Sequence, residues 1–260
     1  MNIVVMAKQI PDAEAILEIL PDGKNLRIEQ KFTTNVFDEF AMEEAMRLKE
    51  KHGGKVKVIT LGGGKATEVL RTGIAMGADD VLLLEDEAFL NGDGYVTALA
   101  LSRAAALESF DIILCGRQAI DDDRGEVGPM VAQFLGIPHI GGIIKLDVAD
   151  GKAVVECPVE GAKEILEVKL PAVFTAQKGL NEPRVPPIMG VMKAMKATIA
   201  RITPAELGIL PTEIGAVGAK VRIERYLQPK KRAAVQMIPG EPREAAVEAV
   251  RILMDVERIL

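Results

Sequence analysis

Five short stretches of the chain are almost wholly apolar: Asn2–Ala7, Val56–Leu61, Asp80–Leu84, Phe110–Cys115 and Ala172–Ala176. Runs of this length without alternation predict central strands covered on both faces. Between the first of them the spacing changes to that of a helix. Phe37, Ala41, Ala45 and Leu48 recur along a helix expected from Asn35 to about Lys51. Glu43, Glu44, Arg47 and Lys51 fall mostly on its polar side, Asn35 or Asp38 is its expected cap, and His52-Gly53-Gly54 stops it. Further helices are expected from Gly62-Gly63-Gly64 to Met76, from Tyr95 to about Glu108, and from about Glu126 to Gly136. Strand–helix pairs in this succession predict an α/β fold with a doubly wound, mostly parallel sheet.

The pattern then changes. Ile143–Val148, Ala153–Cys157 and Glu164–Leu170 alternate around turns at Ala149-Asp150-Gly151 and Gly161. They predict antiparallel hairpin strands at one edge of the sheet. From Gly179 periodicity fades. Asn181 to Pro187 is dense in proline, Met189–Lys196 is compatible with a short helix, and Ile202–Pro229 carries only brief elements. Glu241–Leu260 is an amphipathic helix with Ala246, Val250, Leu253, Val256 and Leu260 on one side. The aperiodic apolar stretch before it is expected to lie across something, most economically a partner subunit.

The stretch best suited to a ligand is Leu114 to Met130. A buried strand ends at Gly116, a polar loop carries Asp121-Asp122-Asp123, and a helix begins near Glu126. Open parallel sheets present ligand-contacting groups at the carboxyl ends of their strands. Arg117 and Gln118 supply donors there, and Gly125 and Gly128 let backbone N–H groups approach an anion at a helix N-terminus. The same stretch reads equally well as a solvated loop with an acidic tip. Gly62-Gly63-Gly64 can cradle a phosphate, but it lacks the Lys-Ser/Thr ending of a P-loop, and a tight turn is its simpler reading.

Composition narrows the function classes. The 260 residues are 48% hydrophobic and 27% charged, enough for a substantial core, and with 3% aromatics that core is built from Val, Ile, Leu, Ala and Met. A net charge of −6 argues against nucleic acid as a partner. No apolar run reaches the roughly 18–20 residues of a membrane span. Met1 leads directly into a strand, and Cys115 and Cys157 sit apart in apolar settings, so a reducing, cytoplasmic location is expected. Neither His52 nor His139 lies near a cysteine in metal-site spacing, and GxSxG, HExxH and CxxC are absent. Three adjacent loop aspartates need not converge on one point, so no catalytic residue is assigned.

Three stretches, in order, resemble the electron-transfer flavoprotein β-subunit: Gly116-Arg117-Gln118-Ala119-Ile120-Asp121-Asp122-Asp123, Lys169-Leu170-Pro171-Ala172-Val173 and Leu180-Asn181-Glu182-Pro183-Arg184. Ala41-Met42-Glu43-Glu44-Ala45 and Ala75-Met76-Gly77-Ala78-Asp79 are similar too. The resemblance covers residues 1–200, and 201–260 match more loosely as a variable arm. It implies a heterodimer with a larger α-subunit, which carries most of a redox-active FAD near the interface. It also implies an adenine-nucleotide hydrolase-like fold that hydrolyses nothing and holds AMP, or a second FAD in the electron-bifurcating branch. Such a carrier shuttles electrons between flavoprotein dehydrogenases, acyl-CoA dehydrogenases among them, and a quinone-linked or nicotinamide-linked acceptor. Oxidoreductase activity of its own would come only with bifurcation.

Carried onto this chain, the implied cofactor shell is Met6, Ala7 and Lys8; Asn35, Val36, Phe37 and Asp38; Leu61, Gly62 and Gly63; and Gly116, Arg117, Gln118, Asp121, Asp123, Arg124, Gly125, Glu126, Val127 and Gly128. The implied docking loop for partner dehydrogenases is Leu180, Asn181, Glu182, Pro183 and Arg184, with the leucine held out as an apolar anchor. The expected division is a nucleotide-binding domain over residues 1–180, with the docking loop and a partner-packing arm over 181–260. Asn35-Val36 replaces the family's Asn-Pro, and Asp38 stands where AMP-binding members often have Cys. Asp38, Arg117 and Val127-Gly128-Pro129 lean towards the FAD-binding branch, whereas Asp122–Glu126 departs from that branch's Gly-Asp-Thr-Ala-Gln. AMP and FAD both stay open. A nucleotide-sensing module related to universal stress proteins is a rival that the hairpin block disfavours. An adenylyl transferase should show SGGxDS or HxGH, and neither occurs.

Overall fold

The computed structural model describes residues 1–229, 235 and 237–259. Contacts divide the chain into two units, Met1–Arg225 and Tyr226–Leu260. In the first, β1 (Asn2–Met6) is followed by β2 (Gln9–Pro11), β3 (Leu17–Ile19), β4 (Leu26–Ile28) and β5 (Phe32–Thr34), which pair antiparallel as β2 with β5 and β3 with β4. Then come α1 (Val36–His52), β6 (Lys55–Leu61), α2 (Thr67–Met76), β7 (Asp80–Leu84), α3 (Gly94–Ala105), β8 (Ile112–Gly116), α4 (Val127–Leu135) and β9 (His139–Ile143). After β10 (Lys145–Ala149), β11 (Lys152–Val159) and β12 (Ala162–Lys169), the chain returns through β13 (Ala172–Ala176), α5 (Ile188–Lys196), β14 (Ala200–Ile202) and the single turn α6 (Gly215–Gly218).

Seven strands form one sheet in the order β14-β7-β6-β1-β8-β13-β9, with every pair parallel. The expected doubly wound α/β architecture is present, with β1 near the centre. Its consecutive residues feed two cores. Ile3 and Val5 join the buried cluster that includes Met42 and Leu70 of α1 and α2, while Val4 and Met6 join the one with Leu99 and Val131 of α3 and α4. That two-sided burial is why the strands read as unbroken apolar runs. The chain steps from β1 to β6 to β7 on one side and then crosses to β8 on the other, so the topological switch point lies between β1 and β8.

The three alternating strands pair antiparallel as expected, but they form a separate sheet of order β10-β11-β12 instead of an edge of the large one, whose edges are β14 and β9. What closes the large sheet is β9, whose sequence HIGGI carries too little apolar bulk to read as a strand. In the second unit α7 (Pro242–Arg251) continues as a π turn over Ile252–Val256, so the regular helix is shorter than expected. Val250, Leu253 and Val256 of its expected apolar side are exposed, and Leu260 lies outside the described residues. Among the described residues no helix is long and apolar enough to cross a membrane.

Candidate functional site

The crevice at the switch point is built around one buried carboxylate. Asp38, in the first turn of α1, accepts the Lys8 N–H at Oδ2 and the Gly116 N–H at Oδ1, both at 2.7 Å. These are the N–H groups at the carboxyl ends of β1 and β8. Asn35 acts alongside it: Nδ2 donates to the Gln118 carbonyl at 2.9 Å, and Oδ1 accepts from the Ile120 N–H at 3.3 Å. Neither side chain caps α1, contrary to expectation, because both are engaged by the strand ends and the loop. Burial raises the Asp38 pKa to about 6, against the lowering effect of its hydrogen bonds. Gly116 has no alternative here. A Cβ would lie 2.5 Å from Asp38 Oδ1 and 2.7 Å from Phe37 Cβ.

The acidic tip folds back onto the same crevice. Lys8 Nζ contacts Asp121 at 2.8 Å and Asp122 at 3.3 Å. Gln118 Nε2 holds the Asp123 carboxylate at 2.7 Å, and Arg124 pairs with Glu126 at 3.4 Å. Leu61, Gly62 and Gly63 end β6, the neighbour of β1, and the Gly62 N–H donates to the Leu84 carbonyl at 3.1 Å. A Cβ on Gly62 would sit 2.9 Å from that of Ala66, so the tight turn itself requires this glycine. Val36 is partly exposed and Met6 and Ala7 are buried.

A second crevice opens on the other side of the β8 loop. A cavity of about 510 Å³ lies among the carboxyl ends of β8, β13 and β9 and the first residues of α4. Arg117, Gln118, Asp123, Arg124 and Gly125, all expected from the sequence, line it together with Pro129 of the same stretch and with His139, Gly141, Gly142, Thr175 and Gln177, which were not. Arg117 is seated by its N–H on the Ala176 carbonyl (2.9 Å) and by Nη1 on Gln177 Oε1 (2.7 Å). The Gly142 N–H donates to Thr175 Oγ1 at 2.9 Å. Burial lowers the His139 pKa, which keeps the ring neutral near pH 7, and its Nε2 is buried without a partner. Gly128 lets α4 approach the sheet: a Cβ would lie 2.7 Å from Thr175 Cγ2 and 3.0 Å from Cys115 Sγ. Burial raises the Cys115 pKa too, leaving an unionised thiol. Thr175 and Gln177 close a strand that was legible, so the strand-end rule was a signal for them. His139 carried none while β9 stayed unread.

The profile of a family described as the electron transfer flavoprotein domain matches residues 26–207. The chain belongs to the electron transfer flavoprotein family. It is 40% identical over 255 residues to the electron transfer flavoprotein subunit beta of Thermoanaerobacterium thermosaccharolyticum, covering 97% of this chain and 98% of that one. It is 38% identical to the subunit beta of Bacillus subtilis, over the whole of both. The caffeyl-CoA reductase-Etf complex subunit CarD of Acetobacterium woodii is 34% identical, with 92% of each chain covered.

In this electron transfer flavoprotein chain the Leu180–Arg184 loop is clamped onto the middle of α1. Asn181 Nδ2 donates to the Phe40 carbonyl at 3.0 Å and to Glu44 at 2.9 Å. Arg184 bonds Glu43 through its backbone N–H (3.1 Å), Nε (2.7 Å) and Nη2 (3.2 Å), and reaches Glu50 through Nη1 at 2.5 Å. Arg47 Nε bonds Glu43 from the other side at 2.7 Å and Nη2 donates to the Glu182 carbonyl at 3.3 Å. Glu43 and Glu44 are therefore buried, not on a solvated face as their helical phase suggested. Leu180 is half-buried against the core, which corrects the expectation of a projecting anchor. The exposed apolar side chains come directly after the clamp, at Val185, Ile188 and Met189.

Proposed function

We propose that this chain is the β-subunit of a heterodimeric electron transfer flavoprotein that holds an adenine nucleotide at its strand ends, as AMP or as the adenosine end of a second FAD. The observation that carries the reading is the Asp38–Asn35 junction. It gathers the end of β1, the start of α1 and the β8 loop into one shell, where the family resemblance puts a nucleotide. The residues fit such a ligand. Gly116 lets Asp38 and Phe37 close against the end of β8, Arg117 brings a cation, and the first turn of α4 offers the unsatisfied N–H groups of any helix N-terminus.

The α-subunit is the partner this reading requires, with an FAD held mainly on it near the interface. Bound there, FAD supplies one- and two-electron chemistry. This chain shapes the flavin's surroundings, keeps its own nucleotide in place and docks flavoprotein dehydrogenases, acyl-CoA dehydrogenases among them. Electrons pass on to a quinone-linked or nicotinamide-linked acceptor. The Leu180–Arg184 clamp sets the direction in which the apolar residues after it leave α1, which suits a docking surface of low flexibility. Two buried free cysteines fit a cytoplasmic setting. Family membership sets aside the stress-protein and adenylyl-transferase alternatives.

Cofactor stoichiometry is the test. The heterodimer is co-expressed with the cognate α-subunit and purified, its ligands are released by acid, and FAD and AMP are counted. One FAD with one AMP makes this a single-flavin carrier. Two FAD without AMP make it a bifurcating one, with the second flavin in this subunit. A heterodimer that yields no flavin and no nucleotide sinks the reading.

A further inference from the structure

We propose that the outer face of α5 is a methionine-oxidation site, where hydrogen peroxide converts Met189, Met192 and Met195 to sulfoxides and so weakens the docking of a flavoprotein dehydrogenase. The chemistry rests on α5 alone, and its consequence rests on the docking role proposed above.

α5 is held to the body of the subunit by one side only. Gly190 packs on α2 so closely that a Cβ would collide with the Ala75 carbonyl. Ala194 is buried in the core, and Arg71 Nη1 donates to its carbonyl. Positions 190 and 194 are four apart and share one side of the helix. With 3.6 residues to the turn, Ile188, Met189, Met192 and Met195 fall on the other side. Their exposure agrees: Met189 is 75%, Met192 48% and Met195 73% accessible.

Methionine is not placed outside throughout this chain. Met6, Met42, Met46 and Met76 are buried, and the exposed Met237 and Met254 stand singly in the second unit. On α5 three thioethers follow one another at successive turns, directly after the clamped Leu180–Arg184 loop. An unbranched thioether adapts its shape to what it meets, and such side chains recur on surfaces that serve several partners. The same placement leaves the sulfurs open to a small oxidant.

The reaction needs only the thioether and the peroxide. A sulfur lone pair attacks one peroxide oxygen, the O–O bond breaks and an S–O bond forms. The departing oxygen takes up the proton of the transferred one and leaves as water, so sulfur loses the two electrons that the peroxide gains. Each sulfoxide is polar and accepts hydrogen bonds, which removes the apolar character that docking would desolvate. A reductase that draws on a dithiol restores the thioether and releases water and a disulfide. The three side chains point away from α2, so the contacts of Gly190 and Ala194 survive oxidation, and the effect falls on association instead of folding.

The test uses the heterodimer with its cognate α-subunit, hydrogen peroxide as oxidant and the acyl-CoA dehydrogenase of the same organism as docking probe. Peptide mass mapping follows the sulfoxides, and surface plasmon resonance follows the association. Met189, Met192 and Met195 are expected to oxidise at least tenfold faster than Met42 and Met46. The dehydrogenase affinity should fall at least tenfold with them and return after treatment with methionine sulfoxide reductase and dithiothreitol. In the triple variant Met189→Leu, Met192→Leu, Met195→Leu, peroxide should change the affinity less than twofold, whatever its starting value. The triple change to Gln should reproduce the oxidised affinity without peroxide. Oxidation of α5 no faster than that of the core methionines overturns the proposal. So does an affinity that stays constant while α5 oxidises, or that falls equally in the leucine variant. A dehydrogenase that does not bind the untreated heterodimer overturns the docking reading, and this switch with it, even where α5 oxidises first.

Discussion

The first turn of α1 and its middle turns bury carboxylates to the same depth and hold them in opposite ways. Asp38 is 4% exposed and its oxygens accept two backbone N–H groups. Glu43 is 2% exposed and is gripped by two guanidinium groups, Arg184 and Arg47. Burial raises the pKa of Asp38 to about 6 in spite of its hydrogen bonds. At Glu43 burial acts in the same direction, but Arg184 and Arg47 outweigh it and the pKa falls below its ordinary value. The partner, not the depth, decides whether a buried charge strains the fold or fastens it. On α1 the strained charge sits at the switch-point crevice and the fastened one holds the Leu180–Arg184 loop.

The largest effect expected from that contrast is a pH dependence traceable to Asp38. Its pKa in the fold, about 6, lies above its ordinary 3.8. Below the lower value it is protonated folded or unfolded, and no cost arises. Between the two, stability falls as pH rises, and above 6 the folded state carries the full desolvation cost, roughly 3 kcal/mol. Asp38→Asn lacks this titration. Urea denaturation of the nucleotide-free protein should show the stability difference between wild type and variant shifting by that amount between pH 4 and 6.5, then staying flat. Parallel profiles for the two would mean the carboxylate is not titrating where its surroundings place it.

Removing the clamp is the next largest change. Arg184→Ala leaves Glu43 buried with Arg47 as its one cation and should cost about 2 kcal/mol at pH 7, less than a fully orphaned pair because Arg47 stays. Arg184→Lys should recover under half of it, since an ammonium cannot repeat the two-pronged contact. The sign with pH is opposite to that of Asp38. The wild-type contribution is present above pH 4.5 and lost on acidification, so wild type and Arg184→Ala should converge in acid. Convergence in alkali instead would rule out the ion pair as the source.

Much of the scaffold was legible because its strands are buried on both faces: β1, β6, β7, β8 and β13 all announce themselves as apolar runs. The candidate site was legible where a strand visibly ended, at Lys8, Gly62 and Gly116. What stayed hidden depends on distant partners. Glu43 and Glu44 look like a solvated helix face until Arg184 arrives from 141 and Asn181 from 137 positions along the chain. Asp38 looks like a cap until β8, 78 residues away, supplies a competing donor. β9, with glycines in two of its five positions, packs as a strand only because β13 lies beside it.

Glu44 sharpens the contrast within a single turn. It is buried next to Glu43, but its hydrogen-bond partner is the neutral Asn181 amide, and its pKa is raised by burial. Replacing each by its neutral isostere should therefore give opposite signs. Glu43→Gln destabilises, whereas Glu44→Gln is neutral or stabilising by up to about 1 kcal/mol at pH 7, because it removes an unpaired buried charge and keeps the Asn181 contact. Matching losses in chemical denaturation would show that depth alone governs both.

The smallest effect on stability is expected where the burial rule is reversed. α7 exposes apolar side chains, among them Val247 at 67% and Val250 at 48%. α1 buries its apolar residues Ala41, Met42, Ala45 and Leu48 within its own chain, whereas α7 buries none, so the exposed ones on α7 contribute little to the free subunit. Val250→Ser should change its unfolding free energy by under about 0.5 kcal/mol. If the arm packs on the α-subunit, the same substitution should weaken heterodimer formation about tenfold, some 1.4 kcal/mol, because the apolar surface is desolvated only in the complex. An association constant left untouched by Val250→Ser and Leu253→Ser together would place the α-subunit contact elsewhere on the chain, and α7 would then need a different partner to explain its face.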